Sequence, residues 1–360
     1  MMGMEQRKAQ GFSLVELLIA MAVGLVVMAG AVMLFRQGVD AMHTLTQRAE
    51  VQQNARVGIN MMAQEFSLAG TGIPQGGIAL PSGGAALAPL FACDQVVCYL
   101  ASNEYTDDRL YAIIPGDGLG PTVNGVPTDI VTLAYDDTRL DLAQLPLVSV
   151  TEAGDQIEVD PATAPPIDDP AVGIQVGDVI SICNTNGCAA GTVTNVPNNQ
   201  FIDLADNDPL KFNQSAAASG NIVSILPPGP PPAPYVPETR AKRIFVITYF
   251  IEVLPGPDGV VGTADDPGPR LMRQVNAHPP VPVAENIENL QITYDIFDDT
   301  AAVVTANLDD ANGLPNQIRK VSVSISSRSP LRGLFRRNFE RITLTTSVSP
   351  RNLSFRDRYQ

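Results

Sequence analysis

Three aspartates in one glycine-rich stretch have a spacing that could hold a metal ion. Asp258, Asp265 and Asp266 lie within residues 257–268, among several glycines. Ca²⁺ binds six to eight oxygens in flexible geometry, and these carboxylates with nearby carbonyls could supply several of them. The stretch lacks the regular acidic spacing and the closing Glu of an EF-hand loop. It predicts a calcium site, and a solvated hairpin loop is the alternative.

Other residue types that support catalysis are scattered along the chain. Four Asp pairs, at 107–108, 136–137, 168–169 and 298–299, fall in predicted turns, where Asp bonds to the local backbone. The only histidines, His43 and His278, stand in no recognisable nucleophile–base arrangement. Phosphate-binding, dinucleotide-binding and zinc-protease motifs are also absent from the sequence. The sequence therefore predicts no enzymatic activity and no required cofactor.

The four cysteines form two local couples, Cys93 with Cys98 and Cys183 with Cys188. Each couple has four residues between its members, whereas zinc sites favour shorter C-x-x-C spacing with clustered histidines. Disulfides form in oxidising compartments outside the cytoplasm. If the body of the protein is exported, as the membrane-length run described next suggests, the two couples predict two local disulfides, with zinc binding as the alternative.

Glu16 stands in an apolar run from Phe12 to Phe35 that contains no other charge. As a helix, this run is roughly 36 Å long, enough to cross a bilayer core of about 30 Å. An acid inside such a span costs on the order of 2 to 4 kcal/mol, which predicts a functional role and a partner. Cleavage after Gly11 would supply one, because the new α-amino group of Phe12 could reach the Glu16 of a neighbouring subunit.

The ten residues from Gly11 to Ala20, G-F-S-L-V-E-L-L-I-A, resemble the signal of type IV prepilins and type II secretion pseudopilins. The resemblance implies that a prepilin peptidase cuts between Gly11 and Phe12 and methylates Phe12. It also implies that Glu16 guides docking into a filament. The implied partners are the peptidase, the inner-membrane assembly platform, and other minor and major pilins bound through the helix. An ordinary signal anchor with a tolerated Glu is the alternative.

A helical pattern continues beyond the apolar run. An apolar stripe recurs at spacings of three and four residues, and Gly70 to Pro74 ends it. The stripe consists of Ala55, Ile59, Met62, Phe66 and Ala69. This segment resembles the helix end of large minor pilins of the PilW type. The residues predict a leader at 1–11, a membrane-spanning half at 12–35 and an amphipathic half at 36–70.

The rest of the chain has a loop-rich β composition, with 30 Pro and 29 Gly in the sequence and no Trp. We expect a β-rich insert at 73–226 and a proline-rich linker at 227–237. An antiparallel sheet domain at 238–349 and a basic tail at 350–360 follow. In the sheet domain, five strand candidates with period two predict one buried face, against which the stripe packs. The expected class is α+β: a long N-terminal helix packed on an antiparallel sheet body with a β-rich insertion.

The distribution of charge along the chain bears on whether the protein binds nucleic acid. The formal net charge is -15, yet from Arg319 onward there are 10 Lys and Arg against 2 Asp and Glu. The acidic body argues against nucleic acid as its main partner, while the basic C-terminal strip leaves nucleic acid open. The alternative is that this strip lies against acidic surface of its own chain or of a neighbour.

Together these features predict a minor pilin that helps initiate or cap a type IV pilus. Arg7 and Lys8 precede the span and keep the leader cytoplasmic. The chain would therefore sit in the inner membrane with a single pass and its body in the periplasm, before moving to a pilus tip or the cell surface. The alternatives are a J-like pseudopilin of type II secretion and a tip adhesin or DNA-capture module.

Overall fold

The structure is a computed structural model. It describes residues 13–93, 98–100, 108–140, 142–163, 165–226, 238–261, 263, 266–298, 302–311, 315–332 and 338–353. The side chains of residues 92, 93, 98–100 and 144 are outside this description. The predicted leader, the proline-rich linker and most of the tail also lie outside the described residues, so the proposed division of the chain stays a prediction.

One long α-helix begins the described chain. Helix α1 runs from Leu14 to Leu68, and Ser13 precedes it as the N-terminal cap. It ends where Gly70 adopts a φ of +83°, a conformation that favours glycine. The side-chain amide of Asn352 donates to the free carbonyl of Ala69 at 3.3 Å and to the Thr71 hydroxyl at 2.7 Å. A residue near the C-terminus thus completes the cap of the first helix.

The remaining described elements are mostly short strands. In chain order they are β1 Ile78–Ala79, β2 Ser82–Gly84, β3 Leu90–Cys93, β4 Cys98–Leu100, β5 Arg109–Leu110, β6 Ile113–Gly116, β7 Thr122–Val123, β8 Val126–Pro127, β9 Ile130–Asp136, β10 Ser149–Val150, β11 Gln156–Glu158, β12 Val179–Asn184, β13 Gly187–Thr192, β14 Phe201–Asp203, β15 Ala217–Ser219, β16 Arg240–Glu252, β17 Arg270–Val275, β18 Val281–Glu285, β19 Ile287–Asp298, β20 Val303–Leu308, β21 Ile318–Arg328 and β22 Arg341–Val348. Short 3₁₀ helices occur at Leu142–Gln144, Ile222–Ile225 and Pro315–Gln317. One long helix and a large β body confirm the α+β prediction.

The largest sheet in the described chain has nine strands and is organised around β16. Strand β16 pairs antiparallel with β12, β9 and β17, and β17 continues to β18. Strand β12 continues to β13, which runs parallel to β1. The sheet therefore contains strands from both sides of residues 227–237.

A second sheet has four antiparallel strands in the order β20-β19-β21-β22. Its buried residues alternate along β19 and β21, as the period-two pattern predicts; examples are Leu290, Ile292, Val323 and Ile325. The five strand candidates after residue 237 therefore lie in two sheets rather than one. Alternation identifies the buried face of a strand but does not identify its neighbour.

The hairpin of β12 and β13 begins its return strand earlier than the sequence suggests. The sequence pattern favours a return strand at 191–196 after an Asn186–Gly187 turn, yet β13 starts at Gly187, opposite Asn184. Residues Gly187 to Ala190 have weak β propensity, so they give no strand signal. Pairing with β12 on one edge and β1 on the other places them in a strand.

The C-terminal part of α1 lies in the main hydrophobic core. All five residues of the predicted stripe are buried. Four of them pack in one core cluster with side chains of both sheets: Ile59, Met62, Phe66 and Ala69. Gly58 leaves no room for a side chain: a Cβ there would lie 2.8 Å from Leu271 Cδ2 on β17 and 3.6 Å from Ile325 Cδ1 on β21. The absence of a side chain at Gly58 thus allows the helix to contact both sheets.

Contacts divide the chain into two compact units. One contains the described residues of Met1–Glu50 and Ser329–Glu340; the other contains Val51–Arg328 and the described residues of Arg341–Gln360. The first unit is the apolar and adjoining part of α1 with one loop segment. The second unit contains the sheets and the core.

Candidate functional site

The N-terminus of α1 forms a reciprocal hydrogen-bonded cap. The backbone N–H of Ser13 donates to Glu16 Oε2 at 3.0 Å, and the Glu16 N–H donates to Ser13 Oγ at 3.2 Å. This is a capping box, which satisfies two backbone donors at a helix start. The carboxylate of Glu16 is thus held beside the helix N-terminus, where the dipole favours negative charge. Gly11 and Phe12 lie outside the described residues, so cleavage between them stays a prediction.

The apolar part of α1 is exposed along its whole length. Every residue from Ser13 to Phe35 is exposed, including large side chains such as Leu18, Val26 and Phe35. In the described chain, α1 is the one helix whose length and composition suffice to cross a membrane, and its most apolar window has no buried residue. An apolar face on all sides fits lipid contact and does not fit a surface helix in water.

The Asp-rich loop is held by its own hydrogen bonds. Asp266 accepts from the Gly256 N–H at 2.8 Å and from the Thr263 N–H at 3.0 Å. Asp258 accepts from the Val260 N–H at 2.8 Å, as in an Asx turn. Asp265 lies outside the described residues, and the described part contains no group of three or more His, Cys, Asp or Glu arranged for a metal. Calcium binding by this loop stays a prediction.

A disulfide joins Cys183 to Cys188 across the β12–β13 hairpin, where the two residues are direct partners. This confirms one of the two predicted pairings. Cys93 and Cys98 are also opposite each other, at the ends of β3 and β4. Their side chains are outside the described part, so their bond stays a prediction.

A buried charge cluster that the sequence analysis missed joins α1 to the nine-stranded sheet. Glu65 accepts from the Tyr249 hydroxyl at 2.6 Å and from the Arg273 Nη2 at 2.6 Å. Burial, and then the Glu65 charge, raises the pKa of Tyr249, which keeps this hydroxyl a donor. Burial alone would lower the pKa of Arg273, but the hydrogen bond to Glu65 and the attraction to its charge together raise it. Glu65 lies at helical spacing between Met62 and Ala69 of the buried stripe. An acid at such a position was the sequence signal that could have predicted a buried ion pair.

A second cluster surrounds Arg243 of β16. Arg243 donates to Asp137 at 2.8 Å and to Asp178 at 3.4 Å, and His278 Nε2 lies 2.8 Å from Asp178 Oδ1. Burial would raise the pKa of Asp178, but the bonds from His278, the Gln175 N–H and Arg243 lower it. Asp137 belongs to one of the Asp pairs predicted to bond the local backbone of a turn. In the structure it also forms an ion pair with Arg243. These contacts fit a structural function.

Asp129 connects the two sheets. Its carboxylate accepts from the Gly118 N–H at 3.0 Å and from the Ile292 N–H of β19 at 2.7 Å. Burial, and to a lesser extent the nearby Asp117 carboxylate, raises its pKa to about 6. Two backbone bonds lower that pKa without cancelling the effect of burial.

The basic C-terminal strip has partners on β19. Arg341 Nε lies 2.6 Å and Arg328 Nη1 3.5 Å from the carboxylate of Glu288, and Lys320 Nζ lies 3.3 Å from Asp295. Burial alone would raise the pKa of Glu288, but the two guanidinium groups and a hydrogen bond to Asn124 lower it. Three basic residues of the strip therefore lie against acids of the same chain, as the alternative to nucleic-acid binding predicts.

Comparison with known families gives one match. The family model described as the prokaryotic N-terminal methylation motif matches residues 6–32, which include Gly11, Phe12, Glu16 and most of the apolar run. The chain carries this motif, which supports a type IV prepilin-like family, processing by a prepilin peptidase and interaction with other pilins in general. Neither the comparison with curated proteins nor the comparison with solved structures gave a significant match.

Proposed function

We propose that this chain is a minor pilin, most similar to the PilW type, that helps to initiate or cap a type IV pilus. The observation that carries the proposal is the methylation motif at residues 6–32, placed at the start of a helix whose apolar part is exposed throughout. Its role is assembly rather than catalysis. The helix stays in the inner membrane until the peptidase has acted, and it then packs laterally against the helices of other pilins.

The proposed mechanism depends on Glu16. A carboxylate inside a span costs on the order of 2 to 4 kcal/mol, and pairing with the α-amino group of a neighbour's Phe12 offsets that cost. Within the same chain, the Ser13 N–H already donates a hydrogen bond to this carboxylate at 3.0 Å. Docking would then add a positive charge to a carboxylate that the helix start already orients.

Exported location of the body follows from the same proposal. The Cys183–Cys188 disulfide supports it, because such bonds persist in oxidising compartments. We place the body in the periplasm first and then at a pilus tip or on the cell surface, where a large body has few lateral neighbours. The assembly platform of the inner membrane is the expected machine partner.

The test compares Glu16→Ala with Ser13→Ala. Both variants break the capping box, but only Glu16→Ala removes the carboxylate. We expect both proteins in the membrane fraction with a methylated Phe12, seen by mass spectrometry of the N-terminus. Ser13→Ala should enter sheared pili at close to the wild-type level, and Glu16→Ala should not.

Two results would count against the proposal. Incorporation of Glu16→Ala at the wild-type level would contradict the proposed charge pairing. A mature protein that begins at Met1 would contradict the pilin assignment. Deletion of the gene should abolish surface pili and leave type II secretion intact. The reverse outcome would assign the chain to a secretion pseudopilin.

A further inference from the structure

Strand β20 covers only part of one edge of β19. It pairs with β19 between Tyr294 and Asp298, while β21 pairs with the other edge along almost the whole strand. Before Tyr294, the edge on the β20 side is met by Asp129, the residue that precedes β9. Its N–H donates to the Leu290 carbonyl at 3.0 Å, and its carboxyl group accepts from the Ile292 N–H at 2.7 Å. Asp129 thus takes the place of a neighbouring strand here, and it joins the nine-stranded sheet to the four-stranded sheet.

The carboxyl group of Asp129 is almost fully buried and bonds to a second carboxyl group. Asp129 is 3% exposed, and its side chain is hydrogen-bonded to that of Asp117, in the turn after β6. An ionised carboxyl group only accepts hydrogen bonds, so this bond exists only while one of the two groups holds a proton. In the described chain, the charges of Asp309 and Asp310, which follow β20, also act on Asp117. Loss of the proton therefore leaves like charges close together with no donor between them.

The same carboxyl group holds the turn that leads into the β7–β8 hairpin. The Gly118 N–H donates to it at 3.0 Å, so Asp129 binds this turn and β19 at the same time. Between these two points the hairpin packs on the body, since Val123 is buried in the main hydrophobic core. The uncharged side chain of Gln291, on β19, donates to the Pro127 carbonyl at 2.9 Å. Loss of the Asp129 bonds would therefore release the turn and the edge of β19 together, while the neutral contacts keep the hairpin in place.

We propose that Asp129 is a proton-dependent latch between the two sheets. While Asp129 and Asp117 share a proton, the latch is closed and the N–H groups of Gly118 and Ile292 are bonded to it. When the proton leaves, the buried charge is repelled by Asp117 and attracts water, so the junction opens and the edge of β19 becomes accessible. Burial is the main cause that raises the pKa of Asp129 to about 6, so the latch opens between mildly acidic and neutral surroundings. The latch lies in the β body and does not depend on the proposed function.

The test measures hydrogen–deuterium exchange of the full-length protein in detergent micelles at pH 4 and pH 7. Mass spectrometry with fragmentation to single residues gives the protection of the Gly118 and Ile292 amides, each corrected for the exchange rate of an unstructured amide at the same pH. Ser324 of β21 is the reference amide within the four-stranded sheet. Asp129→Asn removes the titrating group. Asp309→Asn is the matched control, because it makes the same change of charge on an exposed neighbour.

A pKa of about 6 in the closed junction and of 3.8 in the open one implies that the protection of Gly118 and Ile292 falls roughly fiftyfold from pH 4 to pH 7. Ser324 should change far less. Asp309→Asn should keep this fall, whereas Asp129→Asn should show the same protection at both pH values. The inference is overturned if the wild-type Gly118 and Ile292 amides change no more than Ser324, because then either nothing opens or the whole sheet does. A fall that persists in Asp129→Asn would overturn it too. If Asp129→Asn does not fold, the comparison within the wild-type protein still decides.

Discussion

The buried bond between α1 and the nine-stranded sheet gives the sharpest prediction on stability. In Glu65→Gln the side chain keeps its shape but loses its charge. One of its two terminal atoms becomes an amide nitrogen, which donates, so the new side chain cannot accept from both Tyr249 and Arg273. The variant also leaves the Arg273 guanidinium, whose side chain is 22% exposed, without its counter-ion.

The magnitude follows from these contacts. Removing one partner of a buried ion pair costs about 3 to 5 kcal/mol, and the partial exposure of Arg273 reduces that figure. A lost hydrogen bond to a charged group contributes about 1.5 to 3 kcal/mol of the same total. We therefore expect Glu65→Gln to lower the free energy of unfolding by about 2 to 4 kcal/mol.

The assay is urea unfolding of the full-length protein in detergent, followed by the circular dichroism of the β body. Arg48→Gln is the control, because it breaks the Arg48–Glu340 pair, in which the Arg48 side chain is 63% exposed. An exposed pair contributes about 0 to 1 kcal/mol. If Glu65→Gln costs no more than Arg48→Gln, the cluster does not stabilise the fold as we reason.

A triple variant separates the cost of an unpaired charge from the value of the pair itself. Glu65→Leu, Tyr249→Phe and Arg273→Met together replace the cluster with apolar groups of similar size. Such replacements are often neutral or stabilising, because no charge remains to be desolvated. We expect the triple variant to be more stable than Glu65→Gln alone. A triple variant less stable than the single one would contradict this explanation.

Three further predictions follow from the core, the sheet junction and the hairpin. Gly58→Val should cost about 1 to 3 kcal/mol in the same unfolding assay because its side chain would overlap β17, whereas Gly38→Val, with open space around it, should not destabilise the body. In the folded protein the pKa of Asp129 is about 6, above its ordinary value of 3.8. Folding therefore favours the protonated carboxyl, and the fold loses this stability as the pH rises through about 6 and Asp129 loses its proton. Asp117→Asn should weaken this loss by a few tenths of a kcal/mol, seen as a melting-temperature gain at pH 7 that is absent at pH 4; an equal gain at both would exclude this cause. Replacing Cys183 and Cys188 with Ser should lower stability by up to about 2 kcal/mol, as expected for a short loop, and reductant should then have no further effect at this hairpin.

Sequence and structure agree best where the signal is local. The sequence pattern predicts strands at Arg270–Val275 and Arg341–Val348, and β17 and β22 have these bounds. Helix α1 ends at Leu68, just before the predicted glycine stop. Strands β18 and β20 were missed: Pro282 weakens the pattern of the first, and the second is an exposed edge strand with no buried face. The Cys183–Cys188 bond was predictable because its two residues are neighbours in the chain.

The amino-acid sequence by itself determined the processing motif, the membrane-length helix and the buried stripe that continues it. A methylation motif is a short linear feature, and helical periodicity is contained within one segment, so neither needs distant residues. Only the tertiary structure shows which strands neighbour β16, why a side chain does not fit at position 58 and which residues Glu65 binds. Glu65 and Arg273 are 208 residues apart, and no local pattern encodes a partner at that distance. Only folding of the chain brings the two charges out of water together, and their mutual burial makes the contact specific.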